Sequence, residues 1–176
     1  MRRLALSKVY QLLEPGPVVL LTTFNRGRPN IMAMSWHMML DFEPPTIACV
    51  VGGGDYSFTA LNNTGQCVIG IPTAALAAKV VGIGNCHGDR VDKFQKFHLT
   101  SVKANKVKPP LIKECFANLE CKVINRSLVK KYNLFIMEVL AAWIDPAEKN
   151  PKTLHHQGYG KFTVDGRVIR VRSKMR

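Results

Sequence analysis

The sequence Pro29-Asn30-Ile31-Met32-Ala33-Met34-Ser35-Trp36 decides the fold, because it has the pattern of one arm of a buried hairpin. Its side chains alternate between two sets, Asn30, Met32, Met34 and Trp36 against Ile31, Ala33 and Ser35, as in a strand with two different faces. The turn Asn25-Arg26-Gly27-Arg28 precedes it, and Gly27 supplies the positive φ of a tight hairpin. The β-branched apolar run over 18–24 predicts the other arm, a strand buried on both faces.

The rest of the chain predicts a mainly β domain with a few short helices. Strands are expected over 46–51, 66–71, 116–125 and 132–144, and helices over 4–13, 56–62, 76–83 and 89–97. Residues 37–43 show neither helical nor strand periodicity and are expected to form a loop. Most of residues 98–115 are expected to be loop as well. Asp165-Gly166 predicts a hairpin between 162–164 and 167–169. The chain 1–176 is therefore expected to be one barrel-like domain, with an N-terminal helix within 1–14 and a basic tail over 165–176.

Composition indicates a globular protein with a strongly basic second half. Of 176 residues, 47% are hydrophobic and 21% charged, which argues against disorder. The net charge is +13, of which residues 1–85 carry +2 and residues 86–176 carry +11. Such a surface attracts anions, including phosphorylated cofactors and nucleic acid. A nucleic-acid-binding β-barrel is disfavoured, because the strands lack the aromatic ladder on which single strands stack.

Metal, disulfide and membrane classes are disfavoured as well. The five cysteines form no Cys-x-x-Cys pair, and most lie in apolar runs. His155 and His156 are neighbours on a strand, so they point to opposite faces and no metal site is expected. No apolar run approaches the ~20 residues that span a bilayer. A reduced, cytoplasmic protein is expected.

Six motifs in order resemble the flavin reductase-like, FMN-binding split-barrel family, and within it the flavoredoxin branch. They are Pro-Val-Val-Leu-Leu-Thr-Thr, Gly-Arg-Pro-Asn-x-Met-x-Met-Ser-Trp, Pro-Pro, Tyr-Ser-x-Thr, Val-Asp-Lys-Phe and Glu-Cys-Lys-Val. The resemblance runs from about Val9 to Val164. It implies a Greek-key split β-barrel, a homodimer, and one non-covalent FMN per subunit near the dimer interface.

The resemblance also implies roles for particular residues. The segment that lies along the flavin ring matches Met32, Ala33, Met34, Ser35 and Trp36. Leu40 and Asp41 match a loop that approaches the ribityl-phosphate, although the serines of many relatives are absent here. A phosphate site matches Ser57, Thr59 and Lys93, and the loop Cys86-His87-Gly88 is implied to lie near the ribityl chain or the ring edge. The alternatives are plain core packing for the methionines, helix capping for Ser57 and a solvated surface position for Lys93.

The function implied is an NAD(P)H-dependent flavin oxidoreductase. NAD(P)H would be the co-substrate, and free flavin, a monooxygenase, ferric iron or a redox protein would be the electron acceptor. His156 is the candidate catalytic residue, since with Tyr159 it matches a segment that borders the nicotinamide. A flavoredoxin-like electron carrier without its own NAD(P)H site is the alternative.

A homodimer is also expected from the strand over 132–144. Its residues Phe135, Ile136, Met137, Val139, Leu140 and Trp143 are apolar on both faces, so one face is expected in the core and the other against a partner subunit. The alternative is a central strand covered within the subunit by the helix over 74–83.

Overall fold

An antiparallel sheet organises the protein, for which a computed structural model describes residues 1–9, 17–157 and 160–169. The strands of the main sheet are β1 (Arg2–Leu4), β2 (Val19–Asn25), β3 (Arg28–Met34), β4 (His37–Phe42), β5 (Pro45–Val50), β6 (Gln66–Ile71), β9 (Ala117–Asn125) and β10 (Leu134–Ile144). Their order is β3-β2-β6-β9-β10-β5-β4, and β1 pairs with the end of β10. Two small hairpins lie outside it, β7 (Ser101–Val102) with β8 (Leu111–Ile112) and β11 (Leu154–His156) with β12 (Phe162–Val164).

Four short helices connect these strands in the described residues: α1 (Tyr56–Thr64), α2 (Ala77–Gly84), α3 (Lys93–Lys96) and α4 (Val129–Tyr132). Single 3-10 turns occupy Leu6–Lys8 and Ala74–Leu76. Gly65 ends α1 in the left-handed region, at φ 64°, where glycine meets no Cβ penalty. The expectation of a mainly β protein with a few short helices is confirmed.

The hairpin predicted from the opening stretch is present. Val19 pairs with Met34, and Asn25 with Arg28 across the turn. Gly27 has φ 79°. Strand β2 lies between β3 and β6, which explains why Leu20 and Leu21 are fully buried.

Two apolar clusters cover the two sides of this hairpin. One fills the interior of the sheet and includes Leu21, Ile69, Leu119 and Phe135. The other packs α2 and α3 onto the outside of β2 and β3, through residues such as Leu20, Ile31, Val80, Ile83 and Phe94. Burial of this kind stabilises the fold by about 25 cal/mol per Å² of apolar surface. It fixes α2 beside the strand that carries Ala33.

Three sequence-based expectations were wrong. Residues 37–42 form β4 and not a loop, because the segment pairs with β5 despite its outward-facing apolar side chains. Of the N-terminal helix, Arg2–Leu4 is a strand and Leu6–Lys8 a 3-10 turn, whereas 10–16 lies outside the described residues. Strand β12 pairs with β11 and not across Asp165-Gly166.

The outer face of β10 is covered by the chain itself at Leu140 and Trp143. Both are partly buried against a cluster that includes Val107 and Leu111, from the segment that carries β7 and β8. The expected contact of this strand with a partner subunit stays a prediction. The covering element is the 102–111 segment and not the helix over 74–83.

Candidate functional site

A cleft of about 250 Å³ lies where β3 meets α2 and the β11–β12 hairpin. The lining residues from β3 and its end are Ala33, Met34 and Ser35. Opposite them are Val80, Val81, Gly84 and Asn85 of α2 and its C-terminal end, together with His156, Gly160 and Phe162 of the hairpin. The mostly apolar walls and the backbone of a strand end suit one edge and one face of a flat ring.

A second cleft, of about 310 Å³, adjoins the first. Both clefts are lined by Ala33, Gly84 and Asn85, so they adjoin at these residues, and we call the two clefts together the groove. The second cleft is also lined by Asn30, Met32, Asp55, Tyr56, Ser57, Ile83, Cys86, His87, Gly88 and Lys93. The groove therefore has an apolar end at the hairpin and a polar end at the start of α1.

Lys93 is the buried cation of the polar end, and its residue is only 4% exposed. Its Nζ donates a hydrogen bond to the carbonyl oxygen of Ile83 at 2.9 Å. Burial lowers the pKa of Lys93, and the charges of Cys86 and Asp55 partly oppose this shift. Since an ammonium has three N–H donors, two remain after the bond to Ile83.

Ser57 lies in the first turn of α1 and is held by Asn30. The Nδ2 of Asn30 donates to the Ser57 Oγ at 2.9 Å. The N-cap residue Asp55 makes no side-chain capping bond to the first turn of the helix. The first N–H groups of a helix have no partner within it and carry partial positive charge. The start of α1 therefore presents donors to the groove.

Asn30 carries an unsatisfied polar atom at the same place. Its Oδ1 is buried and has no hydrogen-bond partner within the part of the chain that the structure describes. Gly88 packs against it so closely that a Cβ there would overlap Oδ1 and would lie 2.8 Å from Cδ1 of Tyr56. A buried acceptor without a partner costs roughly 1–3 kcal/mol. Such a cost is expected where a ligand supplies the missing donor.

The loop over 85–90 closes the polar end. The Nδ1 of His87 lies 2.6 Å from Asp89 Oδ1, and its Nε2 lies 3.4 Å from the carbonyl oxygen of Gly54. The bond to Asp89 raises the pKa of His87, with smaller contributions from the Gly54 carbonyl and the charge of Asp89. The Sγ of Cys86 accepts a bond from Lys96 Nζ at 3.3 Å.

Hydrogen bonds among Thr153, His155 and Asp165 stabilise the β11–β12 hairpin, which also carries His156. The Oδ1 of Asp165 lies 2.8 Å from His155 Nε2, and its Oδ2 accepts from the Thr153 hydroxyl at 2.5 Å. Burial favours the neutral form of Asp165, but the hydrogen bonds from Thr153 and His155 outweigh it and lower the pKa of the carboxyl. The ring of His156 lies 5.5 Å from that of Phe162, centroid to centroid.

The structure does not bring every predicted site residue into the groove. Trp36 is 72% exposed, and Leu40 and Asp41 lie on the exposed edge strand β4. Thr59 is exposed on α1 and lines neither cleft, unlike Ser57. Tyr159 lies outside the described residues.

Other groove residues were missed from the sequence. Asn30 shares the alternating face of Met32, and this pattern was the available signal for it. Val80 was predicted only as part of the helix over 76–83, and Gly84 and Asn85 directly after it were given no binding role, since helical spacing does not report which neighbour a face meets. Phe162 was predicted on a strand, but that strand was paired with 167–169 in the prediction and pairs with β11 in the structure.

The described residues contain neither a candidate metal cluster nor a candidate membrane-spanning helix. Within residues 1–9, 17–157 and 160–169, no three or more His, Cys, Asp or Glu residues group so as to hold a metal ion. No described helix has the length and apolar character needed to cross a membrane.

The family is established by comparison with known proteins. Residues 12–163 match the model of the flavin reductase like domain. An uncharacterised protein of Archaeoglobus fulgidus is 34% identical over 145 residues, which cover 78% of this chain and 82% of that protein. The chain therefore belongs to the flavin reductase-like family.

Solved structures show the same fold. One is an FMN-binding domain of a flavin reductase-like enzyme from Shewanella baltica, with a TM-score of 0.89, 28% identity and 97% of each chain covered. Another is a flavoredoxin from Methanosarcina acetivorans, with a TM-score of 0.76, 25% identity, and 90% of this chain and 89% of that chain covered. The resemblance to the family and its flavoredoxin branch, and the split-barrel fold it implied, are confirmed.

Proposed function

We propose that the chain is an FMN-dependent oxidoreductase that binds FMN in the groove between β3, α1 and α2. The observation that carries the proposal is that the two clefts adjoin at Ala33, Gly84 and Asn85. One end is apolar and bordered by a strand end, and the other holds a buried lysine and a helix start. A flat ring system with an anionic tail has the same division, and FMN ends in a monophosphate.

The residues present fit this cofactor. Lys93 and the first turn of α1 would hold the phosphate, since an ammonium and helix N–H groups favour an anion. Asn30 Oδ1 is an acceptor that a ribityl hydroxyl would satisfy. Ala33, Met34 and Ser35 would lie along the ring, where strand N–H groups and the Ser35 hydroxyl are available to its polar edge.

FMN, when bound, supplies the redox chemistry, and the protein positions and surrounds it. Of the chain's own residues, His156 and Phe162 would border the open apolar end, where the nicotinamide of NAD(P)H would be received. We assign His156 the role of orienting that ring or donating a hydrogen bond to it. The acceptor would be free flavin, a monooxygenase, ferric iron or a redox protein.

The similarity to a flavoredoxin supports a second candidate, an electron carrier that uses the same FMN site without its own NAD(P)H site. The two functions differ in one measurement, the oxidation of NADH and NADPH by the FMN-loaded protein. Oxidation of NADH or NADPH, followed as a loss of absorbance at 340 nm, supports the reductase. If neither is oxidised although chemical reductants still reduce the bound FMN, the result supports the carrier.

The absorption spectrum and an FMN titration test the shared proposal. We expect purified protein to be yellow or to quench the fluorescence of added FMN stoichiometrically, with FAD bound more weakly. A colourless protein that leaves FMN fluorescence unchanged would contradict both candidates.

We further propose a homodimer that uses the outer face of β4. Trp36, Met38 and Leu40 are 72%, 55% and 45% exposed, and they follow one another at alternate positions along the sheet edge. Edge strands with exposed apolar side chains are normally covered, because they pair with other chains. A second copy is the occupant that the resemblance implies.

A further inference from the structure

A third cleft, of about 300 Å³, lies on a different part of the molecule. It is formed by Met1, the β7–β8 hairpin with the loop between its strands, and the end of β10. It shares no lining residue with the two clefts of the flavin groove. Its volume is at the lower end of the range for small-molecule sites.

The floor of this cleft is apolar and rigidly supported. Val102, Leu111 and Trp143 line it and pack together with Ala104 and Val107 in one cluster. The indole Nε1 of Trp143 donates to Glu120 Oε1 at 2.7 Å. Because that bond fixes the polar edge of the indole, the ring is a preorganised surface for an apolar ligand.

The rim of the cleft is cationic. Lys103 and Lys113 both line it and are both exposed. No carboxylate is among the lining residues in the described chain, and neither lysine forms an ion pair there. Two unpaired ammonium groups at the mouth of an apolar cleft favour an anion.

Glu120 does not cancel this charge. Its carboxylate is fully buried behind Trp143 and does not line the cleft. It accepts from the backbone N–H groups of Asn105, Lys106 and Val107 as well as from the indole. These donors stabilise the buried carboxylate and hold the loop that carries Lys103 in place.

We propose that this cleft binds a small aromatic monocarboxylate. Its ring would pack on Trp143 and Leu111, and its carboxylate would lie between Lys103 and Lys113. A single ring with a short acidic arm matches both the volume and the division into apolar floor and cationic rim. The site is separate from the flavin groove and does not depend on FMN binding.

The test uses a protein in which Trp143 is the single tryptophan. The chain has two tryptophans, so Trp36→Phe leaves Trp143 as the reporter. The probe is 3-phenylpropionate, which does not absorb at the 295 nm used for excitation. A saturable change in Trp143 emission is expected, and 3-phenylpropan-1-ol, the neutral analogue, is expected to bind more weakly.

Charge removal provides the decisive comparison. We expect Lys103→Ala and Lys113→Ala each to weaken 3-phenylpropionate binding about fivefold and to leave binding of the alcohol unchanged. Lys130→Ala, at an exposed lysine on α4, is the matched control and should bind like the parent. Amide shifts in an NMR titration should map to 102–113.

Three results would overturn the proposal. They are the absence of saturation with 3-phenylpropionate up to about 10 mM, equal affinity for the acid and the alcohol, and amide shifts confined to 83–88 in the flavin groove.

Discussion

The Nζ of Lys93 lies 2.9 Å from the carbonyl oxygen of Ile83, in the last turn of α2. The bond links the buried cation of the groove to the C-terminal end of the helix that forms its wall. Cations are favoured there by the helix dipole. The contact explains how a lysine that is 4% exposed and makes no ion pair in the described chain is retained.

Lys93→Met should weaken FMN binding without lowering the stability of the apoprotein. A charge-assisted hydrogen bond is worth roughly 1.5–3 kcal/mol, so about a 10- to 150-fold loss of affinity is expected. Methionine fills a similar volume and needs no hydration, so the Tm of the apoprotein should stay equal or rise. Fluorescence titration and thermal unfolding measure the two quantities. Lys130→Met is the control, and unchanged FMN affinity in Lys93→Met would mean that another group holds the phosphate.

Ser57→Ala and Thr59→Ala should differ, although both residues were predicted to bind phosphate. Ser57 lines the polar cleft, whereas Thr59 is exposed outside it. Loss of a neutral hydrogen bond costs about 0.5–1.5 kcal/mol, so Ser57→Ala should weaken FMN binding by roughly 2- to 12-fold. Thr59→Ala should bind like wild type. Equal losses in the two variants would disprove the assignment.

The β11–β12 hairpin should loosen in acid through Asp165. The folded-state pKa of this carboxyl lies below its ordinary value of 3.8. Its contribution to the stability of the folded state is therefore complete above the ordinary pKa and is lost as pH falls through the lower folded-state pKa. The protection factors of the amides of 154–156 and 162–164, which correct for the pH dependence of intrinsic exchange, should fall below about pH 4 in wild type. Asp165→Asn should show faster exchange at neutral pH and lack that acid step, and an acid step of wild-type size in this variant would assign it to another group.

The oligomeric state should depend on the outer face of β4. Light scattering of the wild-type protein should give twice the single-chain mass of 19.6 kDa. Leu40→Lys should shift the mass towards 19.6 kDa, because a charge in an apolar contact is costly to bury. Ile124→Lys, at a side chain that is 51% exposed on β9, is the matched control. A wild-type protein of single-chain mass would rule out the dimer.

Elements with strong local patterns were predicted from the sequence. The strand over 66–71 matches β6 at both ends, and the buried run over 18–24 matches β2 within a residue. Strand β4 was missed because Met38 and Leu40 face outward, so the alternation lacks a polar outer face. Only pairing with β5 reveals it as a strand.

The site was predicted in part. The motif resemblance placed Ala33, Ser35, Ser57, Gly88 and Lys93 at one locality, and the structure brings these residues to one groove. Asn85 was not recognised, because a lone asparagine after a helix has no local signature of binding. For Asn30 the available signal was its place on the alternating face of Met32, and that signal was not used. The Asp165 contact with Thr153 also required tertiary structure, since Asp165-Gly166 taken alone indicates a turn.

The pairing of β1 with β10 constrains when the protein can finish folding during synthesis. Arg2 pairs with Ile144 and Leu4 with Ala142, so β1, which precedes the other described strands in the chain, has no partner until β10 is synthesised. Contacts so distant along the chain close slowly. A nascent chain that stops before β10 would therefore expose β1 and one edge of both β5 and β9 to unrelated partners. The main sheet can therefore be completed only once β10 has been synthesised.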